Sequence, residues 1–561
     1  MAAAHEPNGG STPEAATSRT VIGAVVDAAI AEGMDRLFSL MGDGNQDLII
    51  EAVRRGIPNV HVRHEQNAVA MADGYARFSD KIGFCTVTEG PGVSNTATSL
   101  LAARAHPSPV LLFAAATSRG DYHHVQRFDQ PGFIGITAGA GITVEGVRGL
   151  DAALGTAFST LHHKRSPFVL DLPIDVQAEA LPDGWQYTRR RDVATRVRPA
   201  RDAVRSCVEL LRSAHCIGIV CGQGAVHAGA HQAIRELADL LDASIATTLV
   251  AKGFCAGHPL HAGVTGGLGN GLATELLTEC DVILAIGASM NAWTTHFGDV
   301  GRHAKVIQID ADPAAPGRFT AVDAAMQGDA RAAVEDIVEQ LGAAGVSARV
   351  VDAARRRRIA AYEQPVDYDD GDFVDPRRFL QQLDRALPAE RIYVAAGGHC
   401  GYLACQLLTV SSERNWNYTI DFGALGHGLA TAIGAAFARP GERVTHVTGD
   451  GELMMQVGEL HTAVLHQLPL TVVVLNDQGF GQERHSLVHK GLPTEQAMTP
   501  SPDFARLADS LGATGHRFDR VDQLVDLPRL LRDARGVIVL DVRINGEVES
   551  SVSKEIMTHL K

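Results

Sequence analysis

Two short acidic turns carry the strongest chemical signal in this sequence. Gly449-Asp450-Gly451 is followed, after a gap of 24 residues, by Asn476-Asp477-Gln478-Gly479. Each turn comes directly after an apolar, β-branched run, 444–448 and 471–475. Both therefore fall at carboxyl ends of strands, where open parallel sheets bind ligands. Glycines at such ends let backbone N–H groups approach a diphosphate with no Cβ in the way. Asp450 and Asp477 each offer a hard oxygen to Mg2+, and the turn carbonyl of Gly479 offers a third. Diphosphate oxygens would complete the octahedron that Mg2+ demands. A single Gly-Asp-Gly is usually no more than a tight turn. The spaced pair, both halves on strand ends, points to a metal–diphosphate site.

The elements needed to hold these turns are readable along the chain. From residue 20 to about 173, helical patterns (21–32, 48–55, 65–78, 92–105) alternate with strand patterns (36–42, 59–63, 82–88, 109–117, 167–172). A second segment has strands 216–220, 243–248, 282–286 and 306–310; the first of them runs into Gly222-Gln-Gly-Ala and a helix over 227–241. The third has helices 376–387, 428–438 and 460–466 and strands 391–395, 444–448, 471–475 and 537–542. Strands alternating with helices at this spacing predict an α/β protein of three doubly wound domains with mostly parallel sheets. The expected limits are 19–185, 198–345 and 372–547. A polar linker with an Arg run at 189–191 and an acidic linker at 364–375 separate them.

Composition fits three such units. The chain has 561 residues, 45% of them apolar and 20% charged, ordinary for a globular protein with ample core. With 50 Lys+Arg against 65 Asp+Glu, the formal net charge is −15, which argues against nucleic acid or an anionic membrane as partner. The first 18 residues are rich in Ala, Gly, Pro, Ser and Glu and read as a disordered tail without the apolar core of a signal peptide. The longest weakly polar stretch, 422–438, is too short and too Gly-rich for a membrane span. The eight cysteines include no Cys-x-x-Cys and mostly sit in apolar patterns. They read as small buried hydrophobes in a reducing compartment, so the expected location is the cytoplasm.

The spacing of the two turns resembles the thiamine-diphosphate motif of the acetolactate synthase and pyruvate decarboxylase superfamily. The similarity runs from about Thr20 to Asn545 and includes Gln456-Val-Gly-Glu-Leu-His-Thr-Ala, like the family's helix after the metal-binding aspartate. The resemblance implies thiamine diphosphate and Mg2+ as cofactors, with Asp450, Asp477 and the Gly479 carbonyl as metal ligands. It implies cofactor contacts from Gly449, Gly451, Glu452 and Phe480, and names the outer domains pyrimidine-binding and diphosphate-binding. Asp477 stands where the family usually has Asn, adding charge beside the diphosphate.

A cofactor of this kind must lose a proton from carbon, which calls for one carboxylic group against its aminopyrimidine ring. Glu65 opens a small-residue helix, where alone it would serve the helix dipole. However, His-Glu-x-x-Ala-x-x-Met-Ala-Asp-Gly-Tyr-Ala-Arg (64–77) resembles the segment carrying the family's catalytic glutamate, which implies that role for Glu65. Asp421-Phe-Gly-Ala-Leu-Gly-His-Gly-Leu-Ala is similar to the loop that clasps the aminopyrimidine. It implies Leu425 as the wedge beneath the cofactor and the Gly423 carbonyl as acceptor for its amine. Thr88-Glu89-Gly90-Pro91-Gly92 resembles the glycine loop beside the pyrimidine, with Gly90 in contact and Glu89 replacing a smaller residue. The resemblance further implies a homodimer or homotetramer, the active site lying at the subunit interface.

Three features bear on the reaction. Glu483 aligns with the glutamate that follows the metal loop in pyruvate and indolepyruvate decarboxylases. His123-His124 falls where those enzymes carry paired histidines, and such groups would protonate the carbon left by CO2. In the synthase branch's place stands Arg127-Phe128-Asp129-Gln130-Pro131, with Asp129 where that branch has Gln. Nothing in the middle segment singles out FAD. The expectation is decarboxylation of a small-molecule 2-oxo acid, with carboligation of the acyl unit open to it. The alternatives are an acetolactate-synthase-like acyl transferase and a non-catalytic, cofactor-binding paralogue.

Overall fold

The computed structural model describes residues 19–189 and 196–559; the expected tail and Arg190-Arg191 of the linker run lie outside them. The described chain divides into two compact units. One holds the residues up to Val69, Ile82–Leu100 and the chain from Pro107 to the linker. The other holds Ala70–Lys81, Leu101–His106 and everything after the linker.

The first unit is built on one six-stranded sheet of β1 (Leu37–Ser39), β2 (Asn59–His61), β3 (Gly83–Val87), β4 (Val110–Ala116), β5 (Gly141–Thr143) and β6 (Phe168–Pro173), in the order β2-β1-β3-β4-β6-β5. Every ladder is parallel. The central strands β3, β4 and β6 are buried at every position, as expected where helices cover both faces of a parallel sheet.

The second unit holds two further sheets. One contains β7 (Ile217–Cys221), β8 (Ser244–Thr247), β9 (His261–Val264), β10 (Val282–Ile286), β11 (Lys305–Asp310) and β12 (Ala324–Gln327), ordered β12-β11-β10-β7-β8-β9. The other contains β13 (Ile392–Ala395), β14 (Trp416–Tyr418), β15 (Val444–Gly449), β16 (Leu470–Asn476), β17 (Thr514–Phe518) and β18 (Val537–Arg543), ordered β14-β13-β15-β16-β18-β17. Both are wholly parallel.

Two expected helices are interrupted. The helix over 92–105 is split into Pro91–Ser94 and Ala97–Ala105. Thr96 turns back on the first piece, its hydroxyl and its N–H both donating to the Val93 carbonyl at 2.6 and 3.0 Å. That tight turn ends the ladder, and Leu100 N–H to Thr96 O restarts it. The helix over 227–241 is preceded by a separate turn, Gln223–His227, and begins at His231. Gly229 lies between them at φ +62°, a left-handed stop that favours glycine.

In the second unit, the C-terminal part of helix Glu65–Ser79 crosses helix Gly428–Ala438 at close range. A Cβ on Gly74 would collide with the Thr431 carbonyl, and one on Gly434 with the Met71 carbonyl. Beside this crossing the buried Arg77 guanidinium meets Asp73 at 2.9 Å and Asp421 at 3.0 Å. Burial alone would raise the Asp421 carboxyl, but Arg77 and then His106 outweigh it and hold the group at about 2. A depressed carboxyl adds stability above its unfolded value, and that contribution is lost as pH falls toward 2. Arg77→Ala removes the guanidinium shared by Asp73 and Asp421 and leaves Asp421 only its longer contact to His106, 3.4 Å. We expect it to cost about 3–5 kcal/mol at neutral pH, measured by urea unfolding. Since the freed carboxyls would then take up protons more readily, the deficit against wild type should shrink between pH 7 and 5. An unchanged deficit over that range would remove the ion cluster as its cause.

Candidate functional site

β15 and β16 are neighbours in the third sheet, with Gly449 opposite Leu475. Their carboxyl ends open side by side into a cleft of about 300 Å3. Asp450 begins the helix that follows β15 and is 1% exposed. Its Oδ2 accepts from the Ser501 hydroxyl, while its buried Oδ1 has no hydrogen-bond partner. After β16 the chain turns sharply at Gln478, held at φ +64°, and enters helix Gly481–His489. The turn is fixed from outside by Phe480 N–H to Ala497 O and Thr499 N–H to Gln478 O, both 2.8 Å. A Cβ on Gly481 would strike the Asp477 carboxylate, so that position leaves room for the acid.

The two carboxylates are close enough to perturb one another. Burial first, and the Asp450 charge second, push Asp477 upward; burial also raises Asp450. A buried acid with an orphaned oxygen beside a half-buried one forms a donor set that a hard divalent cation satisfies. Among the described residues no group of three or more His, Cys, Asp or Glu side chains could hold a metal alone. Two carboxylates and a carbonyl need ligand oxygens to complete a shell, which fits a metal held jointly with a diphosphate.

The cleft gathers most of the expected contacts. Gly423, Leu425, Gly449, Asp450, Gly451, Glu452, Asp477, Gly479, Phe480 and Glu483 all line it. Glu452 is 4% exposed and accepts from the Gly428 N–H at 3.2 Å, so it also holds the start of helix Gly428–Ala438. Burial pushes its carboxyl up to about 7. Glu483 is raised by burial as well, and Tyr402, pushed up to about 12 by burial and then by Glu483, lines the same cleft.

Sequence reasoning missed the wall contributed by helix Gly398–Leu407, which follows β13. Gly397, Gly398, His399, Cys400 and Tyr402 line the cleft. The rule that located Asp450 and Asp477 applies here too, because Gly397-Gly398 also stands just beyond the carboxyl end of a strand. His399 is fixed by the Ser550 N–H, which donates to its Nε2 at 3.1 Å. Burial lowers its imidazole to about 3, so the ring is neutral. Since a backbone N–H can only donate, the ring proton resides on Nδ1. Ser501 was also missed; nothing in Thr499-Pro-Ser-Pro-Asp signals a role beyond a turn.

Glu65, Gly90, His123 and His124 belong to the first unit. Glu65 opens its helix, and its Oε2 accepts from the Asn95 amide at 3.0 Å. Gly90 adopts φ +61° at the start of Pro91–Ser94. His123 is exposed and His124 half-buried in the loop between β4 and helix Gln130–Thr137; the Gln126 N–H donates to His124 Nδ1 at 3.3 Å. Asp129 caps that helix by accepting from Gly132 N–H at 3.1 Å. Glu89, 1% exposed, accepts from the Thr88 hydroxyl and faces Gly44.

Three family models match the chain: thiamine pyrophosphate enzyme, N-terminal TPP binding domain, over 19–133; the central domain over 204–337; and the C-terminal TPP binding domain over 396–542. Relatives match nearly end to end. The acetolactate synthase isozyme 3 large subunit of Escherichia coli is 29% identical, covering 93% of this chain and 94% of its own. The sulfoacetaldehyde acetyltransferase of Alcaligenes xylosoxydans xylosoxydans is 28% identical, covering 89% and 88%. A Pseudomonas aeruginosa protein named "probable 2-ketoarginine decarboxylase" is 29% identical, covering 91% of each.

Proposed function

This chain belongs to the thiamine pyrophosphate enzyme family, and on that premise we propose that it is a Mg2+-dependent enzyme that decarboxylates a 2-oxo acid and then releases or transfers the acyl unit. The observation that carries the reading is the Asp450–Asp477 pair with its orphaned Oδ1, set at two adjoining strand ends. Bound there, thiamine diphosphate supplies the electron sink that carbon–carbon cleavage beside a ketone requires.

The chain's own residues take the remaining roles. Asp450, Asp477 and the Gly479 carbonyl hold the metal. Leu425 would support the cofactor, and the Gly423 carbonyl would accept from its amine. Glu65, supplied by a second copy of the chain, would share a proton with the pyrimidine ring. Glu483, whose carboxyl burial raises, would return a proton to the carbon from which CO2 has left; His123 and His124 would take the same task.

Large apolar side chains left exposed in the second unit support the dimer or tetramer. Phe422, Met454, Met455 and Leu465 are 50, 46, 56 and 60% exposed, more than a solvated helical surface needs. The eight free cysteines support a reducing compartment such as the cytoplasm. Glu65, Leu425 and Asp450 occurring together weigh against a non-catalytic paralogue. In the middle sheet, Gly222 and Gly224 pack against the Gly287 backbone, so their presence does not call for a flavin.

Acyl transfer is the second reading, favoured by the synthase and transferase names of two relatives. A panel of 2-oxo acids with purified enzyme, Mg2+ and thiamine diphosphate separates the two. CO2 with an aldehyde is the expected outcome. CO2 with a ligated hydroxyketone assigns transfer instead, and no CO2 from any member overturns both.

A further inference from the structure

We infer that Cys216 and Cys280 form a peroxide-oxidisable dithiol on the second sheet, with Cys216 as the attacking thiolate, Cys280 as the resolving thiol and Arg355 as the fixed cation beside them. Their Sγ atoms lie 3.3 Å apart, so a bond of about 2.05 Å needs a closure of only about 1.2 Å. Cys216 just precedes β7, and Cys280 follows helix Gly271–Thr278 just before β10. β7 and β10 are paired, Ile217 against Val282. The two thiols therefore meet at the amino edge of the sheet, the end opposite the one that binds ligands in such folds.

The surroundings differentiate the two sulfurs. Cys216 is the only one of the eight cysteines that is not fully buried. Arg355 Nη1 sits 3.8 Å from its Sγ. That guanidinium is itself anchored to the Asp242 carboxylate and carbonyl, so it stays in place whatever charge the sulfur carries. Asp281, which together with Glu279 opposes a charge on Cys216, accepts from the His215 and Cys216 N–H groups at 2.8 and 2.9 Å. The Cys280 contact, then Arg355, lower Cys216 below the usual thiol range, while Cys280 is held well above it by Cys216 and burial. A thiolate within reach of solvent is the form that reacts. The Cys280 sulfur also lies 3.2 Å from the Leu276 carbonyl and over Gly218, where a Cβ would come 3.3 Å from it.

The chemistry balances with hydrogen peroxide as oxidant. The Cys216 thiolate attacks one peroxide oxygen; an S–O bond forms, the O–O bond breaks, and the leaving hydroxide becomes water. Cys280 then attacks the sulfenic sulfur, forming S–S and breaking S–O, and its proton leaves with the hydroxide as a second water. Two thiols are oxidised by two electrons and one peroxide is reduced. A small-molecule thiol reverses the bond by exchange.

The test treats full-length holoenzyme with a small excess of hydrogen peroxide at pH 7, blocks free thiols with N-ethylmaleimide and maps tryptic peptides without reduction. Fragment ions must assign the bond, because Cys221 shares a peptide with Cys216, and Cys255 with Cys280. A Cys216–Cys280 disulfide that dithiothreitol removes is expected. Cys280→Ser should instead leave a Cys216 sulfenic acid that dimedone traps. Arg355→Gln should slow Cys216 alkylation at pH 7 about tenfold, and Arg355→Lys should largely preserve it; a single cooperative melt of each variant verifies its fold. Both thiols still free after peroxide, or equal alkylation rates in wild type and Arg355→Gln, would overturn the assignment.

Discussion

Glu65→Gln is expected to reduce turnover on any accepted 2-oxo acid by about 10²–10⁴-fold, the range over which a positioned acid–base group contributes. It should slow proton exchange at the thiazolium carbon of added thiamine diphosphate to a similar degree. The substitution keeps the shape and the acceptor oxygen facing the Asn95 amide but removes the ionisable proton. Its structural cost is small. Glu65 opens helix Glu65–Ser79, and losing a negative charge at a helix start costs about 0.3–1 kcal/mol. A merely dipole-stabilising Glu65 would therefore change the melting temperature slightly and leave exchange untouched. Cofactor affinity separates the two cases further: the proposed role predicts binding within a few-fold of wild type beside a severe loss of exchange. Exchange at the wild-type rate in this variant would withdraw Glu65 from catalysis, whatever happens to turnover.

What the sequence disclosed follows from burial. Strands in the middle of each sheet are covered on both faces, so β3, β4, β10, β15 and β16 stand out as apolar runs bounded by turns. The strands that were not anticipated, β5, β9, β12, β14 and β17, all lie at sheet edges. An edge strand needs neither length nor a continuous apolar run. β5 has no fully buried residue, and β12 alternates buried and exposed in only four residues. Metal-turn residues were legible for a related reason. Asp450 and Asp477 interrupt runs of buried aliphatics, and an acid at the end of such a run has few structural uses. Ser501 lies in a proline-flanked turn, and only the folded chain brings its hydroxyl to Asp450, 51 positions away. His399 is similar, because its tautomer is set by Ser550, 151 positions on.

Removing the Asp450 carboxylate should produce two effects of opposite sign, and that pairing is what makes the substitution informative. In wild type without metal, Asp450 is buried and Asp477 half-buried, both are raised, and one oxygen of Asp450 is unpartnered. Asp450→Ala takes away one member of a repelling pair, so the metal-free variant is expected to melt at or above the wild-type temperature. The same change deletes a metal ligand. Replacing even an outer partner of a metal site costs about 10–100-fold in affinity, so loss of a direct ligand should exceed about 100-fold. At a cofactor concentration 100 times its dissociation constant, binding stabilises wild type by about 2.7 kcal/mol. The variant should gain almost none of this under the same Mg2+ and thiamine diphosphate. Asp477→Asn keeps an oxygen while removing the charge. It should raise the metal-free melting temperature as Asp450→Ala does, yet retain most of the shift on adding cofactor. Thermal melts with Mg2+ alone, with both components and with neither give all of these values without reference to turnover. If Asp450→Ala shows the wild-type increment with both components present, the diphosphate is not held through this turn, and the proposed site fails at its centre.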